Sequence, residues 1–128
     1  MALSFATISL PDATRNNLRD SLQALIDSGS GAIIELRTGG TPGSGTLLAT
    51  IPLDSTLAFA DGTAGQLVLD VSPIPSDSSA DATGVPGNWQ LLTQAAGTVV
   101  AEGTISGGDT INAGSPVNIT SLTITIPA

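Results

Sequence analysis

The apolar positions of this 128-residue chain change their spacing once, near residue 30. Before that point, in "DATRNNLRDSLQALIDSG", Leu18, Leu22, Leu25 and Ile26 recur at i, i+4, i+7 and i+8, the spacing of one helix face. The pattern predicts a helix over 12–28, with Asp12 accepting hydrogen bonds from the first turn and Gly29 as a left-handed cap. Arg15 continues the stripe toward the N-terminus and Arg19 borders it, while Asp20 and Asp27 point away. Two of the three cations thus lie along one edge of the helix. Local pairing of Arg15 with Asp12 is favoured there over a docking site for an acidic partner.

From residue 31 the period is two. "AIIELRT" sets Ile34 and Leu36 against Glu35 and Arg37, "TLLATI" alternates Leu47, Ala49 and Ile51, and "QLVLDV" alternates Leu67, Leu69 and Val71. "NWQLLT" and "TVVAEGTI" follow, joined through "QAAG" as a hairpin. In "VNITSLTITI" the parity shifts: Val117 and Ile119 are odd, whereas Leu122, Ile124 and Ile126 are even. A bulge near Thr120 and Ser121 would reconcile the two halves with one core.

Most prolines and glycines fall between these runs, where no ladder needs their N–H. About seven short strands after one helix predict an all-β fold: an antiparallel β-sandwich, jelly-roll or Ig-like, forming a single domain over 12–128. Residues 1–11 stand apart. There Leu3, Phe5, Ile8 and Leu10 make "LSFATISL" either an edge strand or an arm that reaches a neighbouring subunit. With Arg15 and Arg19 they are the candidate interface residues.

Composition narrows the chemistry. Histidine and cysteine are both absent, which excludes Ser-His-Asp and Cys-His catalysis, disulfides and thiolate or imidazole metal sites. Three Arg and no Lys against 11 acidic residues give a net charge of -8, which argues against nucleic acid and anionic membranes as partners. No apolar run approaches the ~20 residues of a membrane-spanning helix, and the N-terminus lacks the cationic start of a signal peptide. A soluble protein is expected.

Apparent motifs weaken when their chemistry is checked. "GGTPGSGT" carries the glycine spacing of a phosphate loop but lacks its lysine, and a strand follows it rather than a helix; a flexible hairpin loop is the better reading. Asp61-Gly62-Thr63 and Asp81-Ala82-Thr83-Gly84 miss the order that would bring two carboxylates together to share a proton. Asp77, Ser79 and Asp81 alternate like calcium ligands, yet the central glycine and terminal glutamate are missing, so a solvated connection is favoured over a cation site. Trp89 is expected in the core. Neither enzyme activity nor a cofactor or metal is predicted.

Several segments in order carry a resemblance: a short helix ending "LIDSGSG", then "IIELRTG", a Gly/Pro loop, "GTLLATIPL", "SDSSADATG", "GTVVAEGTI" and a final "INAGSPVNITSLTITIP". From about residue 12 onward this resembles a family of small proteins encoded among the structural genes of tailed bacteriophages and prophages. The chain departs from the family where Leu122 replaces a customary aromatic residue and where the region before the last strand is shorter. The resemblance implies a virion component assembled in the host cytoplasm, a homo-oligomer with no catalytic residues. A head decoration or cement protein bound to the major capsid protein is the favoured role. A tail or neck component is the alternative, and a surface carbohydrate-binding module is a rival.

Overall fold

The structure, a computed structural model, describes residues 2–4, 9–54 and 57–128. Among the described residues one helix, α1 (Asp12–Ile26), precedes nine short strands: β1 (Ile33–Arg37), β2 (Leu47–Pro52), β3 (Phe59–Asp61), β4 (Gln66–Leu69), β5 (Ser76–Asp77), β6 (Asn88–Leu92), β7 (Val99–Thr104), β8 (Val117–Asn118) and β9 (Thr123–Thr125). All pair antiparallel, in three sheets ordered β2-β1-β6-β7, β3-β4-β9 and β5-β8, and none closes into a barrel. The all-β expectation with one helix holds. The strand count exceeds the runs named from the sequence because β3 and β5, which lack an alternating apolar pattern, also pair, and because the last run is divided into β8 and β9.

Period-two patterning places the core. In the four-stranded sheet Ile34 stands between Ile51 and Leu91, and Leu36 stands between Ala49 and Trp89. These residues share the face that meets Phe59, Leu67 and Leu69 of the three-stranded sheet and Ile26 of α1. Val117, Ile119, Leu122 and Ile124 pack around the same cluster. Burial of these side chains, at roughly 1.5–3 kcal/mol each, supplies the main favourable term of folding. Among the described residues no helix is long and apolar enough to cross a membrane.

Four local expectations are corrected. Asp12 is the first helical residue and not the cap; Pro11 takes that place with no side-chain cap, and its carbonyl accepts the Arg15 N–H at 3.0 Å. The helix ends at Ile26, and Gly29 is not left-handed; the positive φ, 139°, falls at Gly31. Gly29 is needed for another reason: a Cβ there would overlap the Thr93 carbonyl. The parity shift in 117–126 is not a bulge. Val117 and Asn118 pair with β5, Thr123 to Thr125 pair with β4, and the intervening residues carry the chain from one sheet to the other.

The β2 alternation is also incomplete, since Leu48 is as fully buried as Ala49 and Ile51. The 76–81 segment explains it. Asp81 N donates to Leu48 O at 2.8 Å and Thr50 N donates to Asp77 Oδ2 at 3.0 Å, so the outer edge of β2 is covered.

Candidate interaction surface

Helix α1 meets the sheets with half of the expected apolar stripe, since Ile26 is buried and Leu22 packs on the core, and with a polar edge the stripe did not indicate. Leu18 and Leu25 are 45% and 44% exposed, whereas Arg19 is 9% exposed and Ile26 is 1%. The inward face runs through Arg15, Arg19, Gln23 and Ile26, rotated about a quarter turn from the leucines at 100° per residue. Its polar groups answer an unmet demand at the end of the three-stranded sheet. Arg15 Nε donates to Ile126 O at 2.9 Å, Gln23 Nε2 donates to Phe59 O at 2.7 Å, and Asn16 Oδ1 accepts from Gly65 N at 2.9 Å. Backbone groups that would otherwise lack partners are thereby satisfied.

Arg19 completes the attachment. Its guanidinium lies 2.9 Å from Asp20 and 3.4 Å from Asp61 at the end of β3. Arg15 also pairs with Asp12 at 3.5 Å, the local pair expected from their spacing. Both candidate interface arginines therefore have partners within the chain. Arg37, on β1, pairs with Glu35 at 3.1 Å, so all three cations of the protein are so engaged.

Of the other candidates, Leu3 is 71% exposed and Leu10 is half-buried, while Phe5 and Ile8 lie outside the described residues.

The loops are more ordered than their composition suggests. Asn88, fully buried at the start of β6, donates from Nδ2 to Gly39 O at 2.9 Å and to Ser44 O at 3.1 Å, and its Oδ1 accepts from Gly43 N at 2.9 Å. One side chain thus folds the Gly/Pro loop between β1 and β2 onto the sheet. The sequence reading, a flexible loop, missed this anchor. Only the position of Asn88 directly after Pro86 and Gly87, at a strand start, hinted at a special role.

The 75–88 segment is likewise anchored. Both oxygens of Asp77 are occupied, Oδ2 by Thr50 N and Oδ1 by Ser79 N at 3.0 Å, and Ala80 and Pro86 are buried. Among the described residues no group of three or more acidic side chains is arranged to hold a metal ion. Asp61 is the last residue of β3, and Asp81 is held against the β2 edge by its N–H, so the two lie at different sheets.

Trp89 is half-buried and packs on the core beside Gly103, its partner across the β6–β7 ladder. Its ring borders a cleft of about 160 Å³ lined by Ile34, Leu36, Ile105, Ile119, Ser121 and Leu122. A second cleft, of about 200 Å³, lies among Pro52, Leu53, Asp54, Asp70, Pro73 and Pro75. There Asp70 accepts from Ser72 N at 3.0 Å and Asp54 from Leu57 N at 3.2 Å, the behaviour of turn residues.

What the described surface offers is contact. β7 ends its sheet with six residues whose outer side pairs with no other described strand, and Val99 on it is 40% exposed. An open edge of this kind is a template for pairing with another chain. Leu18 and Leu25 add an apolar flank on the helix. Searches against protein-family models, curated proteins and solved structures find no match to the chain.

Proposed function

We propose that the protein is a non-enzymatic virion component of a tailed bacteriophage, a head decoration or cement protein that binds the major capsid protein and copies of itself. The fold in this reading is an antiparallel β-sandwich, with the four-stranded and three-stranded sheets as its layers. The observation that carries the reading is the disposition of polar groups. The three guanidiniums and the Asp77 carboxylate serve internal attachments, while the β7 edge, unpaired by any described strand, and exposed apolar side chains are left for contact. Such a surface works by burying area against other proteins. The resemblance of the ordered sequence segments to small phage structural proteins is the reason for taking the particle as the setting.

A protein that binds the assembled shell and not its free subunits stabilises the shell by linkage, and many repeated copies raise occupancy beyond the affinity of any one contact. The test is position. In a density map of the intact particle, copies on the outer head at repeated capsomer boundaries are expected. A place in the tail or neck moves the protein to that part of the virion, and absence from purified particles overturns the reading.

A further inference from the structure

The core-facing side of β7, opposite Leu91 and Trp89, carries only the small residues Ala101 and Gly103. The Trp89 ring fills the place a side chain at Gly103 would need, since a Cβ there would lie 2.8 Å from Nε1. No described strand lies beyond β7, and the ring stays half-buried. The cleft of about 160 Å³ borders this ring and Ile105, the residue that follows β7. Its lining is apolar except for Ser121. An apolar cavity of roughly 150 Å³ accepts benzene, so a phenyl ring matches the cleft in both size and chemistry. On the outer face of β7 stands Glu102, exposed, opposite Gln90, whose Nε2 donates to its Oε2 at 2.8 Å.

We infer that the β7 edge takes an extended segment of a partner protein as a fifth strand of its sheet, with a phenylalanine anchored at the Trp89 cleft and a lysine or arginine beside it against Glu102. Backbone N–H and C=O groups on a strand edge are met by another extended chain. Residues directly opposite in a sheet share a face, and neighbours along a strand take opposite faces. A side chain opposite Gly103 therefore lies on the Trp89 side, and the next one lies against Glu102. Charge selects that neighbour: Glu102 is the one charged residue of β7, in a chain of net charge -8. A second copy of the chain does not supply the cation, because it has no lysine and each of its three arginines already pairs with a carboxylate of its own. The inference rests on reading the chain as a contact-forming protein, and it names the partner's chemistry at the open edge.

The probe is the acetylated, amidated peptide Thr-Lys-Phe-Lys-Thr, titrated into the full chain while the emission of its one tryptophan is followed. Emission is expected to move to the blue as the phenyl ring shields the indole. Glutamate for both lysines, alanine for the phenylalanine, or methylation of the three central backbone nitrogens should each weaken binding by about tenfold or more. Glu102→Lys should invert the preference, so that Thr-Glu-Phe-Glu-Thr binds that variant more tightly than the lysine peptide does. Glu102→Gln, which keeps an acceptor for Gln90, should bind the two peptides alike and serves if the reversal disturbs folding. Unchanged emission, equal affinity of the wild type for the lysine and glutamate peptides, or binding that survives methylation overturns the inference. So does a chain lacking residues 1–10 that binds the peptide when the full chain does not, since the edge would then belong to the chain's own start. A two-chain sedimentation mass that Glu102→Lys reduces to one chain also overturns it, by giving the edge to a second copy. A protein that ignores the peptide and still coats phage heads removes this edge and leaves the proposed function standing; one that binds the peptide and is absent from particles does the reverse.

Discussion

Arg15 donates its Nε hydrogen to the carbonyl oxygen of Ile126 at 2.9 Å, joining the first turn of the helix to a residue 111 positions later. Four residues on, Arg19 reaches Asp61 at 3.4 Å. Arginine suits both places, since its stem packs as an apolar chain while its head bridges acceptors at the rim of the core. The two cations of the helix edge, for which local pairing is favoured over docking by the sequence, are what fasten it.

Arg19→Met keeps the stem and removes the guanidinium. The expected loss is about 1–2 kcal/mol, because Arg19 is nearly buried and its contacts to Asp20 and Asp61 both disappear. Asp61 is itself more than half exposed, so the coupling between Arg19 and Asp61 in a double-mutant cycle with Asp61→Asn should be only about 0.5 kcal/mol. Urea unfolding of the four proteins measures both. An unchanged midpoint for Arg19→Met, accompanied by weaker binding to an acidic partner, would return Arg19 to the surface.

The helix shows how far a sequence pattern reaches. Its position and approximate length are legible in the leucine spacing, but its orientation is not, because the hydrogen-bonding needs of Phe59, Gly65 and Ile126 are created only by the tertiary fold. Those needs favour a face rich in polar side chains over one rich in leucine. Strand β4 is legible for the opposite reason: its alternation reports a one-sided burial that the final packing preserves, whereas in β1 and β6 the neighbours Ile33 and Ile34, and Leu91 and Leu92, are buried on both faces. At β2 the alternation breaks at Leu48, which is covered by a segment 30 residues away that composition alone marks as a turn. The parity change at Thr120 to Ser121 was visible, and its spacing could not distinguish a bulge within one sheet from a passage between two. Among the candidate interface residues, exposure is seen for Leu3 and internal attachment for Arg15 and Arg19, neither of which periodicity can separate.

Asn88 makes a sharp prediction. Asn88→Ala removes two donors and one acceptor from a fully buried site and leaves Gly39 O, Ser44 O and Gly43 N without that partner. Unfolding free energy should fall by about 2–3 kcal/mol. Asn88→Asp keeps the acceptor for Gly43 N but sets a carboxylate against two carbonyl oxygens, so it should be at least as damaging at neutral pH. Chemical denaturation of both variants checks the order. A loss below about 0.5 kcal/mol for Asn88→Ala, the range of ordinary surface changes, would mean the loop holds its place unaided.

Gly103 and Trp89 form a pair that fluorescence can follow. A Cβ on Gly103 would lie 2.8 Å from Trp89 Nε1, closer than van der Waals contact allows, so Gly103→Ala must displace the ring or the strand. Overpacking of this kind costs about 1–3 kcal/mol. Tryptophan emission, which arises from this one residue, should shift to the red as the ring moves toward solvent. Unchanged emission and stability would show that the ring has room to give way.

Asp77 tests whether the 75–88 segment is a cation loop or an anchored edge. Its two oxygens already accept from Thr50 N and Ser79 N, so Asp77→Asn retains one acceptor and Asp77→Ala retains none. Charge-assisted bonds to backbone are the stronger class, and the expected loss is about 1.5–3 kcal/mol for Asp77→Ala with a smaller loss for Asp77→Asn. Release of the segment also uncovers the outer edge of β2 and Leu48, so limited proteolysis should cut the Asp77→Ala protein within 75–88 before the rest of the chain. Calcium should not protect the wild type against cleavage. Protection that rises with calcium and vanishes in Asp77→Ala would favour the ligand reading instead.

The N-terminal residues distinguish attachment from folding. Removal of 1–11 would take away Pro11, whose carbonyl accepts the Arg15 N–H, so the cleaner deletion is 1–10, which keeps the helix start intact. Leu3 is 71% exposed and contributes little burial within its own chain, and among the described residues the buried cluster begins at Ile26 with Leu22 packed against it. Thermal unfolding of the truncated protein should therefore stay within a few degrees of the full chain, since a change of about 1 kcal/mol moves the midpoint of a domain this size by only about 3–5 °C. Binding to capsid shells, measured by co-sedimentation, should fall at least tenfold if the apolar residues of this segment bury themselves against the partner, a change worth about 1.4 kcal/mol. Equal binding with and without residues 1–10 would shift the contact to β7 and the helix flank; a collapse of the thermal midpoint would make the segment part of the fold.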